Sequence, residues 1–512
     1  MTGSPGSDED QGLRLDELAR DLPLGSTIAG DPSTRVRGVR HDSREVEPGD
    51  LFVARPGARA DGTRFVADAV ARGAVAVMAT RGAIGAESPG VPVLFVDDIS
   101  SGLAHAASAV YGHPSFALDV VGITGTNGKT TTTHLVQAAV DGALGRKACG
   151  AIGTVGHGFD GWHVRAEHTT PEADDTARMM AHMRDRGATH VAMEVSSHAL
   201  ELGRVRAVHF RVAALTNLTH DHLDFHRSMG AYADAKARLF TELGPATVVL
   251  NVDDAFGRQL LDRVGAPVVR VSIREDALQE ADVAPRRVRF GARGIEATVR
   301  TLAGDVTIAS RLVGPHNLEN LLIALAIGQA LELDVVAVAS ALSNAPAPPG
   351  RLERCDDETD GVRVLVDYAH TPDALLRALD ALRPLATGRV WCVFGCGGDR
   401  DPTKRGPMGR AAASRADVVV VTSDNPRTED PGAIAASVVA GARAAGMEPV
   451  VELDRRRAIE LAVQSADRDD VVLVAGKGHE TYQIVGSVKH PFDDRTEARR
   501  ALARRRMGRV GA

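Results

Sequence analysis

Residues 122–131 read Gly-Ile-Thr-Gly-Thr-Asn-Gly-Lys-Thr-Thr, at the end of the apolar run Leu118–Ile123 and at the start of a helical pattern from Thr130. A buried strand, a glycine-rich turn and a helix in that order require an α/β fold whose parallel strands gather ligands at their carboxyl ends. The backbone N–H groups of Gly125, Thr126, Asn127 and Gly128, with the helix N-terminus behind them, can surround phosphate oxygens. Lys129 supplies a point charge for the β- and γ-phosphates, and the Thr130 hydroxyl, with Thr131 beside it, can ligate Mg²⁺. The common phosphate-loop spacing puts glycine at 123, where this chain has Ile123 and leads instead with Gly122. The loop is therefore a variant. A glycine turn without a ligand is the bland reading, and Lys-Thr between a strand and a helix argues against it.

A chain of 512 residues exceeds one hydrophobic core. The polar, acidic stretch 1–11 is expected to be a disordered tail. Three α/β blocks follow, at 12–114, 115–348 and 349–512. The first alternates short apolar runs (VRGV, DLFVA, VAVMA, VPVLFV) with helical stretches. The second adds THVAMEV, RVAALTN and ATVVLNV, then changes at about 287–313 to alternating residues with glycine turns. That pattern predicts a small antiparallel sheet beside the parallel one. APAPPG at 345–350 is a linker, and the third block reads as a doubly wound, Rossmann-like domain. Aromatics at 4% and a net charge of −7 exclude a stacking platform for single-stranded nucleic acid. Cys149, Cys355, Cys392 and Cys396 are too few and scattered for a disulfide framework, which predicts a reduced, cytoplasmic chain. Cys392 and Cys396 read as small buried hydrophobes, since no second Cys/His pair accompanies them. No apolar signal core opens the chain, and no run approaches a membrane span. The basic helix ARRALARRRMGR is a solvated face or meets an anionic partner.

Two strand ends in the second block carry chemistry. MEVSSHAL places Glu194 near one, and NLTHDHLDFH begins past another. A carboxylate with one histidine suits Mg²⁺ beside a nucleotide. The cluster His220, His222 and His226 with Asp221 and Asp224 leaves zinc open, although no thiolate accompanies it. In AYADAKARLF, Lys236 shares a helix face with Tyr232, Leu239 and Phe240. Such a lysine usually snorkels to water. Buried without a partner, its pKa falls, and the neutral amine can take up CO₂ as an anionic carbamate. Four strands of the third block end in the polar loops DYAHTPD, GCGGDRDPTKR, DNPRTED and GKGHETYQ. Their Asp367, His370, Arg400, Asp424, Asn425, Arg427, Lys477 and Glu480 mix both signs of charge, which suits a zwitterionic amino acid.

The pattern G-x-x-G-T-x-G-K-T at 122–130 resembles the ATP loop of the Mur ligases and of folylpolyglutamate synthetase, and the order of the three blocks is similar to that of the Mur ligases over essentially the whole chain. The resemblance implies an N-terminal UDP-binding α/β domain, a central P-loop ATPase domain and a C-terminal Rossmann-like domain. It also implies an ATP-dependent ligase of peptidoglycan precursor synthesis that forms an amide bond through an acyl phosphate. Two Mg²⁺ ions are expected. Thr130, Glu194, His222 and a carbamylated Lys236 would be ligands, with Lys129, Glu194, His222 and Lys236 the catalytic set. Asn317 of GPHNLEN, Arg351 of PGRLE, Asp367 and His370 would contact ATP, although many members have Phe where this chain has His316. His41, Ser43, Ala58, Arg59 and Ala60 of the first block, Thr169 and Thr170 of HTTPE, and Ser196 and Arg204 of SSHALELGR would hold the UDP substrate. DNPR at 424–427 is similar to the specificity motif of the diaminopimelate-adding members; lysine-adding relatives lack its arginine. Diaminopimelate differs from lysine by a terminal carboxylate, which an arginine fork recognises bidentately. Arg400, Asp424, Asn425, Pro426, Arg427, Gly476 and Glu480 would form that site, with Asp424 and Glu480 suited to ammonium groups. The implied partners are UDP-N-acetylmuramoyl-L-Ala-D-Glu, meso-diaminopimelate and ATP, with no nucleic acid, and the expected state is a monomer. A lysine-adding or tripeptide-adding Mur ligase is the alternative within the family, and folylpolyglutamate synthetase shares the ATP loop but lacks the N-terminal UDP-type domain. A nucleotide-dependent switch or motor is the alternative outside it, and it leaves the loops of the third block unexplained.

Overall fold

The computed structural model of the chain describes residues 12–22, 25–56, 61–84, 89–291, 294–357 and 359–510. Ala58, Arg59 and Ala60 and the expected tail at 1–11 lie outside the described residues. By compactness the chain divides into two units. One comprises Met1–Lys129, Val136–Arg270 and Ile327–Asp334; the other comprises Thr130–Leu135, Val271–Ala326 and Val335–Ala512.

Among the described residues, the first unit contains two main sheets beside the two-stranded pair of Leu13–Arg14 and Arg35–Val36. The smaller has the order Thr27–Ala29, Val93–Val96, Ala76–Thr80, Asp50–Val53, Gly38–Arg40. Only its outer strand Thr27–Ala29 runs antiparallel. The larger sheet is ordered Trp162–Val164, Gly156–Phe159, Cys149–Gly153, His190–Glu194, Asp119–Thr124, Val212–Leu215, Thr247–Asn251, Val268–Val271. Its parallel centre is covered on both faces, so Val120, Val121, Ile123, Val191, Ala192 and Met193 are all fully buried. That double burial is why these strands read as continuous apolar runs rather than alternating ones. The antiparallel hairpin of Gly156–Phe159 and Trp162–Val164 lacks any such run and was not legible in the pattern. Helix Ile99–Val110 meets helix Ala173–Asp185 through Ala104, Ala107, Ala173 and Ala177, whose small side chains allow close approach.

The second unit holds the expected meander, a three-stranded antiparallel sheet of Ala284–Gly291, Gly294–Thr301 and Gly304–Ser310. It also holds a six-stranded sheet ordered Glu353–Arg354, Arg363–Asp367, Val471–Ala475, Val390–Phe394, Val418–Val421, Val450–Val451. All neighbours except the first pair are parallel. Helices Pro372–Leu382, Arg405–Ala413 and Pro431–Ala444 cover one face, and Arg455–Ser465 and Asp494–Val510 the other. The parallel register brings the loops after Asp367, Phe394, Val421 and Ala475 to one edge. All four cysteines are free and buried, Cys392 and Cys396 as the sequence suggests. No described helix is long and apolar enough to cross a membrane.

Candidate active site

In the first unit, the glycine turn after strand Asp119–Thr124 is shaped by its neighbours. A Cβ at Gly122 would stand 2.6 Å from the Phe210 ring, and one at Gly125, where φ is +148°, would strike the Thr216 hydroxyl. The end of strand Val212–Leu215 braces the turn. Thr126 N–H donates to the Asn217 carbonyl at 2.8 Å and Asn127 N–H to Asn217 Oδ1 at 3.0 Å. Gly128, at φ +87°, then starts helix Lys129–Leu144 with no side-chain cap, so its first N–H groups face the turn. Lys129 Nζ folds back to the carbonyls of Gly125 at 2.8 Å and Thr126 at 3.0 Å. Lys236 is 1% exposed. It donates to the same Gly125 carbonyl at 2.8 Å and lies 4.7 Å from the centre of the Tyr232 ring. Burial pushes its amine well below the ordinary lysine range, and Lys129 nearby pushes the same way.

Glu194 closes its strand almost fully buried and accepts from Thr154 twice, from the backbone N–H at 2.7 Å and from the hydroxyl at 3.1 Å. The Thr154 hydroxyl touches that of Thr169 at 3.1 Å. Thr170 Oγ1 donates to the Glu194 carbonyl at 2.8 Å and lies 3.3 Å from Ser196 Oγ. Arg204 donates to the Thr170 carbonyl at 3.0 Å and pairs with Glu172 at 2.6 Å; Glu172 also holds Arg55 at 2.9 Å. His41 places its N–H and Nδ1 on Asp174, at 2.9 and 2.8 Å. Thr169, Thr170, Glu194, Ser196 and Arg204 thus form one network. Sequence reasoning missed Arg55, Thr154, Glu172 and Asp174; the acidic residues directly after the Thr pair in HTTPEADD were the available signal. Ser43 opens a short 3₁₀ turn capped by Asp42, apart from these bonds. His222 sits at φ +55°, its ring 5.0 Å from His198 and 6.0 Å from Tyr232. Burial lowers the pKa of His222, and holds His198 at about 4. Among the described residues, the group with metal-ligand spacing is His41, Asp174 and Asp175 rather than the 220–226 cluster.

In the second unit, Arg351 Nη2 donates to the Thr130 hydroxyl at 3.2 Å, and its guanidinium lies 4.8 Å from the centre of the Tyr368 ring. Asn317 joins Asn320 at 3.2 Å, which accepts from Thr132 at 3.2 Å. Asp367 accepts from the N–H groups of Leu352 at 2.7 Å and Ala369 at 2.8 Å; burial raises its pKa against the pull of Arg351. His370 and His479 flank Tyr368 at 4.8 and 5.2 Å. At the next loops, Lys477 is fully buried and donates to Asp424 Oδ1 at 3.3 Å, Asn425 Oδ1 at 3.0 Å and Glu480 Oε2 at 3.2 Å. Lys477 thus takes one oxygen of Asp424 and one of Glu480, which leaves the other oxygen of each. Gly476, at φ +117°, leaves room beside Asp424, whose Oδ2 would be 3.7 Å from a Cβ there. Pro426 is buried, and Arg427 follows at φ +52° with Nη1 on the Gly398 carbonyl at 2.7 Å. Arg427 N–H donates to Ile484 O at 3.1 Å and its carbonyl accepts from Gly486 N–H at 2.7 Å, so the hairpin of Tyr482–Val485 and Val488–Pro491 holds its backbone. A Cβ on Gly397 would stand 3.1 Å from Arg427 Nη1 and 3.8 Å from Arg400 Cγ, so the two arginine side chains flank that glycine.

Three family models match the chain: "Mur ligase family, catalytic domain" over 35–111, "Mur ligase middle domain" over 123–328, and "Mur ligase, glutamate ligase domain" over 350–478. A relative from Gloeobacter violaceus is 45% identical over 501 residues, 96% of this chain and 99% of its own length. Another from Streptomyces coelicolor is 45% identical over 495 residues, 95% of this chain and 96% of its own. Both are named UDP-N-acetylmuramoyl-L-alanyl-D-glutamate–2,6-diaminopimelate ligase. A solved structure with the same name is 31% identical with a TM-score of 0.70, covering 97% of this chain and all of the other.

Proposed function

This chain belongs to the Mur ligase family, and from that premise we propose that it joins meso-diaminopimelate to UDP-N-acetylmuramoyl-L-Ala-D-Glu with ATP, in peptidoglycan precursor synthesis. In this reading residues 12–114 take the nucleotide sugar, 115–348 take ATP and 349–512 take the amino acid.

The observation that carries the reading is the loop edge of the six-stranded sheet. Arg400 and Arg427 flank Gly397, and the oxygens of Asp424 and Glu480 left over by Lys477 lie in loops of the same edge. Two guanidinium groups match the carboxylate that distinguishes diaminopimelate from lysine, while the remaining oxygens suit its ammonium. Asn425, Pro426 and Gly476 shape the wall between them.

The turn at 125–131 takes the triphosphate on backbone N–H groups, with Lys129 leaving the Gly125 and Thr126 carbonyls to neutralise charge as the γ-phosphoryl moves. Asn317, Arg351, Asp367 and His370 hold the rest of ATP. Arg204, Thr169, Thr170 and Ser196, with His41, Ser43 and residues 58–60, orient the UDP substrate so that its D-glutamate carboxylate attacks the γ-phosphorus. The bond to ADP breaks and an acyl phosphate forms. The neutral amine of diaminopimelate then attacks the acyl carbon, phosphate leaves and the amide remains. Thr130, Glu194, His222 and carbamylated Lys236 suit Mg²⁺, which would supply charge stabilisation. A buried carboxylate, a histidine whose pKa is lowered by partial desolvation and a buried amine able to take up CO₂ are the oxygen and nitrogen donors that ion accepts.

The test is phosphate release from ATP with the UDP-dipeptide plus meso-diaminopimelate, lysine or neither. Turnover should require diaminopimelate. Equal turnover with lysine sinks the specificity, and equal release with no amino acid supports the switch or motor instead.

A further inference from the structure

Lys477 is among the largest fully buried side chains of the molecule, yet it lies at the edge where the amino-acid loops meet. Its three contacts leave little freedom to the residues that face a ligand. Asn425 Oδ1 accepts from Lys477 Nζ at 3.0 Å and from Ile484 N–H at 2.9 Å. A lysine is a donor only, so the amide oxygen must face it and the amide nitrogen must face away. Asn425 Nδ2 then gives one hydrogen to Glu480 Oε2 at 3.0 Å, the oxygen that also accepts from Lys477 at 3.2 Å. Nδ2 has a second hydrogen, and Glu480 a second oxygen, to offer a ligand. Asp424 is held by the same ammonium at 3.3 Å. A second buried cation fixes the backbone beneath. Arg455 Nη2 donates to Ala475 O at 2.9 Å and Nη1 to Ser423 O at 3.3 Å, bridging the strand ends before both loops, and Asp494 neutralises it at 2.7 Å.

We propose that Lys477 is a positioning residue for the amino-acid acceptor. It fixes the flip state of Asn425 and the carboxylates of Asp424 and Glu480, so that the crevice presents one N–H donor and single free carboxylate oxygens before any ligand arrives. Without Lys477, the Asn425 oxygen keeps only the Ile484 N–H, and the flipped amide, oxygen towards the ligand carboxylate, is penalised less. Asp424 and Glu480 also lose the cation that separates their charges, and they repel that carboxylate. Lys477 therefore acts on selection of a doubly charged acceptor rather than on phosphoryl transfer. The inference rests on the proposed reaction.

The experiment compares full-length wild type, Lys477→Met and Lys477→Arg in phosphate release, with meso-diaminopimelate and lysine as acceptors. Lys477→Met should raise the KM for diaminopimelate about tenfold or more, the size of one lost charge-assisted hydrogen bond, while the KM values for ATP and UDP-dipeptide stay within about twofold. The preference for diaminopimelate over lysine should fall in parallel, and Lys477→Arg should restore most of it. A merely structural lysine would move all three KM values together and leave the preference unchanged, and that result overturns the inference. Should Lys477→Met not fold, the charge-balanced pair Lys477→Met/Glu480→Gln decides. Against Glu480→Gln alone it should lose further preference for diaminopimelate over lysine, because Lys477 also holds Asn425 and Asp424, while the KM for ATP stays within about twofold. An unchanged preference refutes the role. A wild type with no diaminopimelate-dependent release overturns the proposed reaction itself, and the inference with it.

Discussion

Two buried lysines, one in each unit, show how differently a fold can hold the same side chain. Lys236, behind the phosphate turn, meets a carbonyl, a threonine hydroxyl and an aromatic face. Lys477, under the amino-acid loops, meets two carboxylates and an amide oxygen. Burial without an anion favours the neutral amine, as the strong downward shift of Lys236 shows; burial with two anions makes an internal salt network. On the proposed reaction, the first environment supplies a neutral amine to CO₂ and the second fixes geometry. Burial alone therefore does not tell a chemical lysine from a positioning one; the partners do.

The sharpest way to break this contrast is at the phosphate turn. Lys129→Ala should lower turnover by about a thousandfold or more, read as phosphate release, because it removes charge where charge develops. Near-normal turnover would remove the turn from the chemistry. Next in size, Arg427→Ala should reduce kcat/KM for diaminopimelate by about a hundredfold, with KM for ATP and UDP-dipeptide barely changed. Equal weakening of all three would dissolve the distinction between the two regions. Lys236→Met should also abolish most turnover, but its diagnostic is stability. The native lysine has a depressed pKa, so the unfolded chain binds a proton that the folded one does not, and wild-type stability rises as pH climbs towards the unfolded lysine value. Denaturant melts should show that rise flattened by about one bound proton in Lys236→Met. An unchanged slope would mean the amine is charged when folded. The smallest effect belongs to His316, which burial, with Arg377 adding, holds at about 4. Its unfolded form protonates first as pH falls, so stability is lost between about pH 6.5 and 4. His316→Phe should soften that acid limb while leaving turnover near wild type.

The strand, glycine turn and helix around 125–131 were legible because their residues are contiguous and glycine allows the close approach there. The parallel strands were legible for a related reason, since burial on both faces leaves unbroken apolar runs. The four polar strand ends of the last block were legible as separate loops, but not as a network, because Lys477 bonds across 53 positions to Asp424 and no local pattern records that. Glu172 was missed in the same way: its two arginines, Arg55 and Arg204, come from distant segments. The hairpin at 156–164, short and glycine-bearing, had no run to declare it.

Arg427 sits in a left-handed backbone conformation, a geometry costing an ordinary residue about 1–2 kcal/mol, and the hairpin at 482–491 keeps it there. Glycine would rest in that geometry without strain. Arg427→Gly should therefore relieve that backbone strain at the loss of the bond to the Gly398 carbonyl, and on the proposed reaction it trades discrimination between acceptors for ease of folding.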